Sequence, residues 1–168
     1  MAMVTSQEAN KLLKKLDEEI QSWKILQENN KTFTAATIEN KEELRPEFNF
    51  FEVQNQIAIL EEKVRTIKHA INIFNCTTEI KALGVCMTID QALVFLPQLT
   101  NKKYILGQMK DVPEQRRKTV NGNIIDYTYR NYSLEDVNSE YDAACDLLTA
   151  VQNELNLVNA TVKFEIPD

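Results

Sequence analysis

Apolar residues recur at alternating steps of three and four along two long stretches of the chain. Phe50, Val53, Ile57, Leu60, Val64, Ile67, Ile71 and Phe74 form one series; Leu134, Val137, Tyr141, Ala144, Leu148, Val151, Leu155 and Val158 form the other. This spacing holds one stripe of a helix against a partner helix. No proline or glycine interrupts residues 49–80 or 134–160. The pattern therefore predicts two helices of roughly 45 and 40 Å, at a rise of ~1.5 Å per residue. A shorter series through Ala9, Leu13, Leu16, Ile20 and Trp23 predicts an N-terminal helix, with Lys11, Lys14, Lys15, Glu18 and Glu19 mostly on its solvated sides.

A further helix is predicted to begin after Thr88. Thr88-Ile89-Asp90-Gln91 has the form of a capping box, in which the threonine hydroxyl and the glutamine side chain satisfy free N–H groups reciprocally. Pro97 lies too far inside to belong to its first turn, which predicts a kink or a second short helix running through Met109. Ser133-Leu134-Glu135-Asp136 caps the last long helix in the same way.

Elsewhere the period changes to two. Val120-Asn121-Gly122-Asn123 is a hairpin turn signal, because Asn-Gly tolerates positive φ at both turn centres. After it Ile125, Tyr127 and Tyr129 alternate with polar residues, and so do Val162, Phe164 and Ile166 near the end of the chain. The C-terminal segment is the natural third strand of the hairpin sheet. Thr32 to Ile38 reads as a strand or a loop, and Glu39 to Glu47 as a polar connector. The expected fold is mainly α: an antiparallel bundle of four or five helices, the long ones coiled-coil-like, with a small antiparallel sheet. Residues 1–168 form one expected domain, with a hairpin insert at about 113–131.

Composition narrows the reading. A chain of 168 residues with only three glycines and four prolines favours long helices over a β-sandwich or a low-complexity chain. A formal charge of −6 argues against a surface that is basic throughout, as a general nucleic-acid or membrane binder would need. No apolar run reaches the length of a membrane span, and the N-terminus lacks the basic head and apolar stretch of a secretory signal. Cys76, Cys86 and Cys145 are widely spaced in apolar surroundings, so buried thiols and a cytoplasmic location are expected.

Three segments, in their order along the chain, carry a family resemblance. They are Ile67-Lys68-His69-Ala70-Ile71-Asn72 followed by Asn75-Cys76-Thr77-Thr78; Thr88-Ile89-Asp90-Gln91-Ala92-Leu93; and Gln152-Asn153-Glu154-Leu155-Asn156-Leu157-Val158-Asn159. Over roughly residues 50–166 the chain resembles the uncharacterised bacterial proteins grouped as septicolysin-like, or DIP1984-like. The resemblance implies a bacterial helical domain of unknown biochemistry, and no residue here supports the pore formation that the label evokes.

Candidate chemistry is sparse. Arg65, His69, Asn72, Cys76 and Glu79 follow helical steps along one side of the first long helix. His69 and Cys76 are two turns apart, about 10 Å, which is too far for a Cys/His couple. A metal would need further ligands converging from elsewhere. A structural, hydrogen-bonded histidine is the expectation, with no catalytic residue, metal or cofactor. Gln152, Asn156 and Asn159 form a polar stripe on the last helix, which Asn72 and Asn75 could face. Amides beside an apolar seam commonly fix register. The alternative is a small-molecule pocket built from His69, Asn72, Asn75, Thr78, Thr88, Asn156 and Asn159. Nothing in the chain spells a phosphate loop, a nucleophile elbow or a zinc helix.

Charge is unevenly distributed. Residues 100–132 hold seven bases and three acids, a net of +4, which leaves −10 on the rest of the chain. Arg116, Arg117 and Lys118 together with Tyr127 and Tyr129 have the mixture that a single-stranded nucleic-acid surface uses for phosphate contact and stacking. The competing readings are a solvated basic strand whose tyrosines face the core, and contact with an acidic protein surface. Finally, Phe51, Ala58, Ile59 and Ile73 lie beyond the seam of the first long helix. So wide a stripe needs either the other helices of the chain or a second copy. A non-enzymatic, self-associating interaction module, with a dimer favoured, is the functional expectation.

Overall fold

The computed structural model describes residues 2–118 and 125–167. Eleven elements follow in the order β1 (Ala2–Thr5), α1 (Ser6–Asn30), α2 (Lys41–Leu44), α3 (Phe50–Thr77), β2 (Glu79–Ala82), β3 (Val85–Thr88), α4 (Ile89–Lys110), β4 (Gln115–Lys118), β5 (Asp126–Tyr129), α5 (Leu134–Thr161) and β6 (Lys163–Ile166). The mainly helical, antiparallel class is the expected one. Two compact units divide the chain: Met1–Phe74 with Asn159–Asp168, and Asn75–Val158.

In the first unit α1 and α3 run antiparallel, since Lys24 pairs with Glu61 at 3.5 Å and Gln27 accepts a hydrogen bond from Gln54. The predicted seams meet here: Ala9, Leu13, Leu16 and Ile20 of α1 pack with Leu60, Val64 and Ile67 of α3. Burying each of the large aliphatic side chains is worth about 1.5–3 kcal/mol, which is why these rows, and not helix propensity, hold the pair together. Phe50 starts the α3 series but is exposed. Segment 32–38 contains no strand, and the connector holds only the one-turn α2, whose first turn Asn40 caps through its side-chain oxygen. Asn49 likewise accepts from the Glu52 N–H at 3.2 Å, at the start of α3.

The C-terminal strand forms where expected but has a different partner. β6 pairs antiparallel with β1, Ala2 opposite Ile166 and Thr5 opposite Lys163, and it joins no hairpin. Among the described residues the strands form three separate two-stranded sheets. An Ala-Met-Val-Thr strand is too short to declare itself by alternation, so its long-range pairing has no local signature.

In the second unit β2 and β3 form a hairpin closed by Leu83 and Gly84, both at positive φ. The Ile89 N–H donates to the Thr78 carbonyl at 3.0 Å and leads straight into α4. The Thr88–Gln91 capping box is present, with both reciprocal hydrogen bonds. α4 is one helix with Pro97 inside it, so the two-helix alternative does not hold. α4 and α5 run antiparallel: Lys102 reaches Glu140 at 2.6 Å, and the Tyr132 hydroxyl donates to the Met109 carbonyl at 2.6 Å. Val137, Ala144, Val151 and Leu155 of the predicted α5 seam are buried. The expected hairpin is β4–β5, with Gln115 opposite Tyr129 and Lys118 opposite Asp126. Its Asn-Gly turn lies outside the described residues.

Candidate functional site

The amide and threonine set is divided between the units. His69 and Asn72 are exposed on α3 in the first unit, where Asn159 is half-buried; Asn75, Thr78, Thr88 and Asn156 belong to the second. The second unit brings Thr78 and Thr88 together at the base of the β2–β3 hairpin. The Thr88 hydroxyl is engaged as a cap, accepting from the Gln91 N–H at 3.2 Å. The structural histidine expected at position 69 takes another form: the ring is exposed, and no hydrogen bond to it occurs among the described residues. The polar side of α3 also ends sooner than its spacing implied, because Glu79 already belongs to β2. The thiols correct a further expectation. Cys76 and Cys86 are exposed and Cys145 is half-buried, and all three are free. Apolar neighbours in sequence do not bury a residue whose helical or strand position points outward.

Within the first unit lies a concave surface that the sequence did not single out. A groove of about 580 Å³ lies between α1, α3 and the β1–β6 pair, floored by Leu12, Leu16, Ile59, Ile67 and Ile166, with Glu62, Lys63 and Thr66 on its rim. Leu12 was the available clue: it stands beside Leu13 and widens the apolar stripe of α1 beyond a single seam. In the second unit two shallower grooves run along α4, one against Val85 and Met87 of β3 and one beside Pro97 and Tyr104.

The outer side of α3 carries apolar residues that its own unit leaves open. Phe51 is 81% exposed, Ile59 is 40% exposed, and Ala58 is exposed as well. Phe51 and Ala58 are seven residues apart and share a face, across the helix from Val53, Leu60 and Ile67.

The β4–β5 ribbon stands clear of its unit. All eight of its residues are exposed, and Tyr127 and Tyr129 are 44% and 64% accessible, so the tyrosines do not face a core. Directly opposed residues share a face of a ribbon. The register therefore puts Gln115, Arg117, Tyr127 and Tyr129 on one side, and Arg116, Lys118, Asp126 and Thr128 on the other. The two tyrosine rings are 6.2 Å apart. The ribbon is anchored at its base, where the Arg130 N–H donates to the Glu114 carbonyl and the Arg130 guanidinium to the Val112 carbonyl.

Two carboxyls are held below their ordinary range. Glu8 accepts the backbone N–H of Thr5 and interacts with its hydroxyl, while Glu140 is hydrogen-bonded by Lys102 and sits in its field. The first belongs to the capping box of α1 and the second to an exposed ion pair. Among the described residues no three of His, Cys, Asp and Glu converge as a metal-binding set would, and no helix is long and apolar enough to cross a membrane. No family model matches the sequence, and no curated protein was found to match it. The chain is similar in fold, with a TM-score of 0.57 and 14% identity over 98% of its own length and 100% of the other, to a functionally unknown conserved protein from Corynebacterium diphtheriae.

Proposed function

We propose that this chain is a non-enzymatic helical interaction module, a member of the septicolysin-like group, that pairs with a second copy of itself through the outer face of α3. The observation that carries this reading is Phe51, a large apolar side chain four-fifths exposed on a face shared with Ala58 and bordered by Ile59. Contiguous exposed apolar surface commonly marks an interface, and a twofold dimer is the commonest symmetric assembly. Two copies of α3 laid antiparallel about an axis between Gln54 and Asn55 set Phe51 of one copy across from Ala58 of the other, both on the open face. The shifted carboxyls at Glu8 and Glu140 are explained by a cap and an ion pair, so neither calls for a catalytic role. Free, exposed thiols at Cys76 and Cys86 support a reducing, cytoplasmic setting. The fold shared with a functionally unknown conserved protein agrees with the helical class that the resemblance implies.

Light scattering tests the pairing directly. Expected is a dimer mass at micromolar concentration that falls to the monomer in a Phe51→Glu, Ile59→Glu variant with an unchanged helical circular dichroism spectrum. A wild-type monomer mass throughout that range overturns the reading. A second reading, single-stranded nucleic-acid binding through the ribbon, is favoured by the exposed Tyr127 and Tyr129 beside Arg116, Arg117 and Lys118. It requires an affinity for a labelled oligonucleotide that drops steeply with salt.

A further inference from the structure

We infer that the β4–β5 ribbon is an arm that docks on the acidic outer face of α5 in a second copy of this chain. The inference rests on the self-association proposed above and gives it a second, electrostatic contact. A two-stranded ribbon is marginally stable by itself, yet this one extends from its unit with both faces in solvent. Its tyrosine face carries the residue types that dominate interface energetics, Tyr and Arg, with Arg117 directly opposite Tyr127. A covering surface is therefore expected, and charge indicates which one.

α5 contains six carboxylates and no lysine or arginine. Glu140 is paired with Lys102, but Glu135, Asp142 and Asp146 are exposed and have no ion pair among the described residues. These three lie across the helix from the buried Val137, Ala144 and Val151. The dimensions agree. Asp142 and Asp146 are one helical turn apart, about 6 Å, and alternate residues on a strand are about 7 Å apart. Tyr127 and Tyr129 thus span the two carboxylates with their hydroxyls as donors, and Arg117 supplies the countercharge. Arg116 and Lys118 strengthen the field from the far side of the ribbon. Among the described residues nothing of this kind pairs the ribbon with its own unit, where its eight strand residues are exposed. A chain carrying −10 outside residues 100–132 and +4 within them attracts a second copy of itself in this orientation.

Sedimentation of the full chain with substitutions on each side decides the matter. Arg117→Glu with Tyr127→Ala, and separately Asp142→Lys with Asp146→Lys, should each weaken self-association at least tenfold while leaving helical content unchanged. Combining Arg117→Glu with Asp142→Lys and Asp146→Lys should restore most of it, and raising salt should weaken the wild type. Association unaffected by the ribbon substitutions but lost in the Phe51→Glu, Ile59→Glu variant overturns the arm and spares the α3 reading. The opposite pattern spares the arm and removes the α3 contact, and a monomeric wild type removes both. If the ribbon substitutions instead abolish binding to a poly-dT oligonucleotide while the assembly persists, the ribbon is a nucleic-acid surface and the inference fails.

Discussion

Phe74 and Phe164 stack with their ring centroids 4.5 Å apart and their planes 19° from parallel. One ring is buried near the end of α3 and the other is half-buried on β6, so the stack, beside the buried Ile166, joins the C-terminal strand to the core of the first unit. Through the β1–β6 pairing it also holds the residues that lead into α1. Phe74→Ala should therefore cost about 3 kcal/mol or more, as truncating a buried aromatic does. Phe164→Ala should cost less, because its ring is only partly covered. Urea unfolding checks both; equal, sub-kcal losses would mean that the stack is not what anchors the terminus.

The entry to α1 makes a pH-dependent prediction. The Thr5 hydroxyl accepts from the Glu8 N–H, and the Glu8 carboxylate accepts from the Thr5 N–H at 2.8 Å. Thr5→Ala should destabilise the protein by about 1 kcal/mol at neutral pH, the usual cost of a lost N-cap. The hydrogen bonds from Thr5, backbone first, hold the Glu8 carboxyl below its ordinary range. A carboxyl lowered in the folded state stabilises above the unfolded pKa of about 4.3, and that contribution disappears as pH falls through the lowered value. Wild type and Glu8→Gln should therefore differ in melting temperature at pH 7 and converge under strongly acidic conditions. A gap that stays constant with pH would contradict the assignment.

What the sequence made legible follows from the range over which each signal acts. Helical seams repeat over many residues, and most of their positions are buried between Val53 and Phe74 and between Val137 and Leu155, with Ile71, Tyr141 and Leu148 half-buried. Caps are local, and the Thr88 and Ser133 caps both form. The β1–β6 pair is neither long nor local, since it joins residues at opposite ends of the chain. The tyrosine ribbon shows a different limit. Alternation shows that Tyr127 and Tyr129 share a face, but whether anything covers that face depends on where the ribbon lies. Exposure at Cys76 and Cys86 escaped for the same reason. Of the candidate site, the ribbon residues and the Phe51 face stand together as their spacing implied, whereas the amide–threonine set falls partly in each unit, with Thr78 and Thr88 meeting at the base of the β2–β3 hairpin.

The β2–β3 hairpin was hidden by its own turn, and that makes it a place to improve the protein. Its two central residues are Leu83 at φ +48° and Gly84 at φ +85°. Both need the left-handed region, the requirement that makes Asn-Gly the preferred pair for such turns. Glycine accepts this at no steric cost, whereas leucine pays for it through its Cβ by about 1 kcal/mol. Leu83 is 68% exposed, so its side chain recovers little by packing. Leu83→Asn should therefore raise stability by about 0.5–1 kcal/mol without altering the register of Ile80 opposite Met87. Gly84→Ala should lower stability, even though an added Cβ there would meet nothing within 4 Å, because the strain comes from φ alone. Thermal melts of the two single variants test the pair together: a destabilised Leu83→Asn would mean that the leucine side chain holds a contact worth more than the backbone strain.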